Sequence, residues 1–249
     1  MMAKVYSAVL GLHAVFGVAG LVLFWIPVLL QKGSFWHKRA GRYFALTMIV
    51  AAASGLVMAI MMYLDPVGIK VRSPDLGAAA IAFITAQSRQ NAVFLALLSV
   101  LLFTTVQRSL AALKAKDERR RLRGPAMLFL PVTLGLLGLV VLGIAIRYGA
   151  FLFGGFAVVA IVVSALNLRY ALKPRLKRKE WILEHLANAL GSGIAAHTGF
   201  LVFGASSLLG SFLRGNLMLI PWFAPTVVGV AAIVFWVTRY ARSFGYFRN

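Results

Sequence analysis

The sequence WILEHLANALGSGIAAHTGFLVFG, residues 181–204, is apolar and long enough to cross a membrane as one helix. It also contains two of the four histidines in the chain, His185 and His197. An ionisable side chain inside a membrane span is costly and indicates a functional site by default. The other two histidines, His13 and His37, lie near the N-terminus. Any function assigned to the histidines depends on whether these four residues meet.

The composition of the whole chain is that of a membrane protein. Of its 249 residues, 61% are hydrophobic and only 13% are charged, and the mean hydropathy is +0.87. Soluble domains have about a quarter charged residues. Apolar runs fill nearly the whole length. This pattern predicts an all-α fold, a polytopic transmembrane helix bundle that forms a single domain over residues 1–249.

The apolar runs predict about seven membrane spans, since each span needs about 20 apolar residues. The runs cover residues 5–30, 43–64, 91–107, 126–147, 150–168, 183–206 and 217–238. Before the third run lies another apolar segment, Leu76–Ala86, which is followed by the polar residues 87–91. We expect this segment to form a short interfacial helix of its own. The alternative is one long helix that begins at Leu76.

The basic residues are concentrated in alternate loops. The chain has 26 Lys and Arg against 6 Asp and Glu, which gives a net charge of +20. Twenty of the 26 fall in residues 31–43, 107–124, 169–182 and the C-terminal tail. The positive-inside rule predicts that these are cytoplasmic and contact anionic lipid headgroups, with the N-terminus outside and the C-terminus inside. Because the charges lie in short loops between apolar runs, we do not expect nucleic-acid binding.

In this topology the four histidines form two levels. His13 lies about eight residues from the outer end of the first span, and His197 about nine residues from the outer end of the sixth. At 1.5 Å per residue, both lie roughly 12–14 Å below that end. His37 and His185 stand at the inner ends of the second and sixth spans. The sequence therefore predicts an outer pair and an inner pair.

Paired imidazoles from facing helices are a standard way to hold a haem iron. We therefore predict haem b, with His13 and His197 as metal ligands of the outer site and His37 and His185 as the inner pair. Two centres about 20 Å apart would suit transmembrane electron transfer, with a quinone or another redox partner. A rotation of about 120° separates His185 from His197 on their helix, which favours one outer site over two.

Small and basic residues beside the histidines support this hypothesis. Gly17 and Gly193 each lie one turn from a histidine on the same face, where a flat macrocycle needs space. Arg39 and Arg42, together with Lys38, would meet the propionates of an inner haem. The alternative is a structural role, in which intramembrane histidines form hydrogen bonds between helices and stabilise the bundle.

A non-redox protein is the main alternative, either a small-solute transporter or an accessory subunit of a membrane complex. The absence of cysteine excludes disulfides, zinc–thiolate sites and Cys-ligated iron–sulfur clusters. Proton-coupled transporters usually have buried carboxylates. The predicted spans contain no Asp, and their only Glu is Glu184, near a span end. Its position beside His185 suits a proton relay, although capping of the helix N-terminus is the simpler interpretation.

Two N-terminal segments carry a family resemblance. LHAVFG (Leu12–Gly17) and WHKRAGRYF (Trp36–Phe44) resemble the bacterial predicted-membrane-protein family catalogued as domain of unknown function 2306. Here Lys38 stands where that family has Arg, and the segment around His185 fits only loosely. The resemblance implies a multi-pass protein of the bacterial cytoplasmic (inner) membrane and brings no established activity. The histidine layout is similar to that of di-haem cytochromes of the b561 type, by analogy only.

Overall fold

A computed structural model of the protein describes residues 2–71, 76–205, 209–210 and 212–246, and this part of the chain contains helices and no strands. The helices are α1 (Met2–Leu29), α2 (Phe35–Leu64), α3 (Pro66–Lys70), α4 (Ala78–Ala115), α5 (Pro125–Tyr148), α6 (Phe151–Leu172), α7 (Glu180–Gly199) and α8 (Ile220–Ser243). Short helical turns cover Arg119–Leu122, Phe200–Gly204 and Gly215–Leu219. All but α3 are long and apolar enough to cross a membrane, which confirms seven span-length helices.

Local sequence signals fix several helix ends. Ser34 precedes α2, and its hydroxyl accepts the backbone N–H of His37, as an N-cap does. The carboxylate of Asp65 accepts the N–H of Gly68 and starts α3 in the same way. Gly149 ends α5 with φ +65°, a left-handed conformation that glycine adopts without strain. Because α6 begins two residues later, α5 and α6 form a tight antiparallel hairpin.

Helix α4 differs from our expectation of a separate interfacial helix. Residues 78–115 form one continuous helix of 38 residues, so that prediction is wrong and the long-helix alternative is correct. No Gly or Pro occurs between Ala78 and Ala115. The polar residues 87–91 are tolerated in a helix, because a helix is interrupted by the loss of backbone hydrogen bonds and not by polarity alone.

Four helices form a ring that contains all four histidines. In this ring α1 packs on α2, α2 on α4, and α4 on α7, while a smaller contact joins α7 back to α1. The apolar centre of the ring is a cluster that includes Phe24, Phe44, Met48 and Val106. Because α5, α6 and α8 contain no histidine, any site built from paired imidazoles lies within this ring.

The remaining spans surround the ring. The α5–α6 hairpin packs against α4 through a buried cluster that includes Leu97, Leu134 and Val141. Helix α8 packs mainly on α7. In the most apolar 18 residues of each span, half of the residues are buried in α2 and in α4, against 11% in α1 and 6% in the span that contains α8. Since the exposed side chains of α1 and α8 are largely apolar, these two helices present the faces suited to lipid.

One end of the bundle collects the basic loops, and we call it the basic end. It consists of residues 30–34, 116–124, 173–179 and 244–246. Lys179 donates its backbone N–H to Asp117, Arg123 donates to the carbonyl of Leu172, and the hydroxyl of Tyr246 donates to the carbonyl of Arg178. These bonds tie three of the segments together. The cytoplasmic location of this end stays a prediction.

Candidate functional site

His197 is held by two hydrogen bonds that use both of its ring nitrogens. Its Nδ1 lies 2.8 Å from the carbonyl oxygen of Gly193, which only accepts, so Nδ1 donates. Its Nε2 lies 3.2 Å from Nε1 of Trp25, an indole that only donates, so Nε2 accepts. The neutral tautomer with the proton on Nδ1 satisfies both bonds. His197 therefore joins α7 to α1, and Phe24 packs edge-on against its ring.

His13 lies far from His197. Its Nδ1 donates to the carbonyl of Ala51 at 2.9 Å and lies 3.2 Å from the hydroxyl of Ser54, so the imidazole faces α2. On α1, His13 is twelve residues from Trp25, the partner of His197, which corresponds to about 18 Å along the helix. The structure therefore does not bring the expected outer pair together. The reason is the way α7 crosses α1, which places His197 against the C-terminal end of α1.

The two glycines predicted to make room for a macrocycle differ in their surroundings. A Cβ on Gly193 would overlap the ring of Phe24, so the space beside His197 is already filled. Gly17 has no atom within 4 Å of its Cβ position, so there is open space one turn from His13. His13 and His197 therefore do not enclose a common space that a macrocycle could occupy. Binding of a cofactor or metal by His13, His197, Gly17 or Gly193 stays a prediction without geometric support.

His37 and His185 both lie near helix N-termini, towards the basic end of the bundle. Nδ1 of His37 donates to the carbonyl of Pro27 at 3.0 Å. Nδ1 of His185 lies 2.8 Å from the hydroxyl and 3.3 Å from the carbonyl of Ser109. The two histidines lie on helices that face each other across the ring, α2 and α7. Both are at the same end of the bundle, whereas the contacts of His13 and His197 separate those two residues.

The surroundings of His37 include open space and several cations. Gly41 lies one turn further on the same face of α2, and nothing lies within 4 Å of its Cβ position. Lys38, Arg39 and Arg42 are exposed on the neighbouring positions. The guanidinium of Arg39 lies 5.9 Å from the ring centre of Tyr43. These cations are available to anionic groups at the surface of the basic end.

Arg108 is the most deeply buried charged residue of the described chain, with 1% of its surface exposed. Its Nε donates to Oδ1 of Asn167 at 3.2 Å, and its Nη2 to the carbonyl of the same residue at 3.5 Å. Its Nη1 has no hydrogen-bond partner among the described residues. An intramembrane cation that is only partly satisfied is costly and marks a functional site by default.

Glu184 is the acidic neighbour of Arg108. Its carboxylate accepts the side-chain N–H of Asn188 at 3.0 Å. It is close enough to Arg108 for the two charges to attract, although no direct ion pair within 4 Å joins them in the described part of the chain. The buried hydroxyl of Tyr170, which has no partner among the described residues, interacts with both charges. Glu184 thus belongs to a buried polar cluster and is more than a helix cap.

Arg108 was expected in a cytoplasmic loop, but it lies inside the bundle. The third span was expected to end at residue 107, whereas α4 continues to Ala115 and carries Arg108 inside the bundle. The segment that follows, SLAALKA (residues 109–115), contains mostly small and apolar residues. That composition was the available sign that the helix continues beyond the arginine.

Within the described ranges, no group of three or more His, Cys, Asp or Glu side chains is arranged to hold a metal ion. A bis-imidazole haem site needs only two such ligands, so this result does not test it. Comparison of the chain with known protein families, characterised proteins and solved structures finds no match. The resemblance to the predicted-membrane-protein family described above stays a prediction.

Proposed function

We propose that this integral membrane protein binds one haem b at the basic end, where His37 and His185 would hold the iron, and passes electrons to or from a quinone or a redox protein. The observation that carries the proposal is that these two imidazoles lie at the same end of the helix ring, each held through Nδ1 by a partner on another helical segment. The proposed location is the cytoplasmic membrane of a bacterium.

The hydrogen bonds of the two histidines suit ligation. The carbonyl of Pro27 only accepts, so the proton of neutral His37 resides on Nδ1 and Nε2 keeps a free lone pair. His185 adopts the same tautomer when its Nδ1 donates to Ser109. Metal-binding histidines characteristically donate their second ring nitrogen in this way, which fixes the orientation of the ring and makes it more basic.

The residues around His37 and His185 suit a haem in two further respects. The open position beside Gly41 leaves space on the face of His37. Lys38, Arg39 and Arg42 provide positive charge for carboxylates at the protein surface. Haem iron with both axial positions filled by imidazole supplies one-electron transfer. The role of this chain would be to hold both imidazoles at the correct tautomer and to keep the site within a largely apolar bundle.

An optical spectrum tests this proposal directly. The protein is expressed with haem supplied, purified in detergent, and measured as a reduced-minus-oxidised difference spectrum. We expect the bands of a low-spin b-type haem, and we expect His37→Ala and His185→Ala each to abolish them. His13→Ala and His197→Ala are the matched controls and retain the spectrum. A colourless protein, or a spectrum that survives His37→Ala, refutes the assignment.

A second candidate function, small-solute transport, is favoured by the cluster of Arg108 and Glu184. The scarcity of carboxylates in the spans counted against a proton-coupled transporter, but Glu184 lies inside the bundle beside a buried cation. Transport by proteoliposomes that is lost in Glu184→Gln, in a protein without a haem spectrum, would support this function over electron transfer. Retention of full transport by Glu184→Gln would exclude the cluster as its site.

A further inference from the structure

A cleft of about 340 Å³ opens on the side of the bundle near the basic end, between α2, α4 and α5. Its walls are mostly apolar and include Ile49, Phe103 and Met127. Lys114 and Arg121 line the same cleft. The cleft is separate from the histidines and from Arg108, because Arg108 and Ser109 are directed towards α6 and α7.

The length of the cleft matches one leaflet of a bilayer. Along α4 it extends from Phe103 to Ala115, twelve residues, which is about 18 Å of helix. Half of the hydrocarbon core of a membrane is about 15 Å thick. A ligand that fills the cleft therefore has an apolar part about as long as one acyl chain, and its head lies at the level of Lys114.

Polar groups occur in the cleft at two depths. Gln107 lies two turns below Lys114, and its side-chain N–H contacts only the weak acceptor Sδ of Met127, at 3.4 Å. The amide oxygen of Gln107 has no hydrogen-bond partner among the described residues. Gln107 lies about 10 Å deeper than Lys114, at the level of an acyl chain, so the polar contacts of a head group are confined to the mouth of the cleft.

The mouth of the cleft is positively charged. Lys114 is exposed, and Arg121 donates from Nη1 to the carbonyl of Lys114 at 3.3 Å, which holds its guanidinium over the end of α4. Arg121 also pairs with Glu118, but both side chains are more than half exposed. Exposed pairs of this kind contribute little, so Glu118 does not prevent an anion from binding.

We propose that this cleft binds an anionic glycerophospholipid, with one acyl chain along α4 and the head phosphate between Lys114 and Arg121. The charge at the mouth, the apolar walls and the leaflet-length groove favour this occupant over a soluble anion or a protein helix. Basic pockets between transmembrane helices are suited to anionic headgroups. Each basic residue near the surface contributes about fivefold, so we expect a preference for anionic over zwitterionic lipid of roughly tenfold or more.

Fluorescence quenching by brominated lipid tests this proposal on the full-length protein in vesicles. Phe103→Trp places an indole on the wall of the cleft, and Phe129→Trp places one on the exposed face of α5 as the matched control. The five native tryptophans are accounted for by subtracting the parent protein in the same vesicles. Met127→Trp, on the opposite wall, replaces Phe103→Trp if that variant does not fold.

The expected result is selective quenching in the cleft. Brominated phosphatidylglycerol, as a minor component in phosphatidylcholine, should quench the Phe103→Trp indole far more than the Phe129→Trp indole. Brominated phosphatidylcholine at the same fraction should quench both alike, and Lys114→Gln with Arg121→Gln should remove the selectivity. Equal quenching by the two lipids, or selectivity that survives the double substitution, overturns the proposal. Relief of quenching by soluble glycerol phosphate would show a site for free anions and would also overturn it.

Discussion

Replacing Glu184 by Gln tests how strongly the bundle depends on its buried charges. The amide has nearly the same shape as the carboxylate and can still accept the N–H of Asn188, so the substitution removes only the negative charge. Arg108 then remains buried with no acidic neighbour as close. Its hydrogen bonds to Asn167 are between a cation and neutral acceptors and do not replace the lost attraction.

The magnitude follows from the separation of the two groups. No ion pair within 4 Å joins Arg108 and Glu184 among the described residues. At about 4 Å and an effective dielectric constant of about 20, two unit charges attract by about 4 kcal/mol, so the attraction between these more distant groups is smaller. For a chain of this size, 1 kcal/mol corresponds to a shift of about 2–4 °C in the unfolding midpoint. Glu184→Gln also removes the cost of burying the carboxylate, so the predicted quantity is the coupling between the two charges, about 1–3 kcal/mol or roughly 2–12 °C, and not a fixed fall in the midpoint of the single variant.

Thermal unfolding in detergent, followed by intrinsic tryptophan fluorescence, measures this effect. Arg39→Met is the matched control, because it removes an exposed guanidinium and should shift the midpoint little. In the Arg108→Met background, Glu184→Gln should leave the unfolding midpoint unchanged or raise it, because it then removes a buried acid that has lost its cation. Additive effects in the double variant would show that the two charges are not coupled and would refute the reasoning.

Two contacts give further predictions, measured by the same unfolding assay. A double-mutant cycle of Trp25→Phe and His197→Ala should give a coupling energy of about 0.6 kcal/mol, the average for hydrogen bonds between membrane helices, and a coupling of zero would show that the bond does not form. Gly193→Ala should destabilise the protein by about 1–3 kcal/mol, because its Cβ would overlap Phe24. Gly17→Ala is the matched control and should be neutral or stabilising, and equal costs for both would contradict the packing.

The sequence predicted the number of spans because apolar length is a strong signal in a membrane, where every backbone group must be satisfied within a helix. It did not predict where α4 begins and ends, because the residues at 87–91 and Arg108 are polar. Polarity indicates exposure in most proteins, but a polar residue can also lie inside a bundle when other helices supply its partners. The partners of Arg108 are on α6 and α7, far away in sequence.

The pairing of the histidines was predicted from their distances to the span ends, and the structure separates His13 from His197. His37 and His185 both stand near helix N-termini at the basic end, so an error of a few residues changes little. His13 and His197 lie within their spans, and their relative position depends on the angle at which α7 crosses α1. A hydropathy pattern carries no information about crossing angles, which are set by side-chain packing.

Three consecutive residues of helix α4 contact three different helices. Gln107, Arg108 and Ser109 contact α5, α6 and α7 in turn, because each residue is rotated by about 100° from the one before. A rotation of α4 about its own axis would change all three contacts together, including the hydrogen bond between Ser109 and His185. Because these contacts belong to one continuous helix, a displacement of this part of α4 would alter the wall of the lipid cleft, the contacts of Arg108 and the support of His185 together.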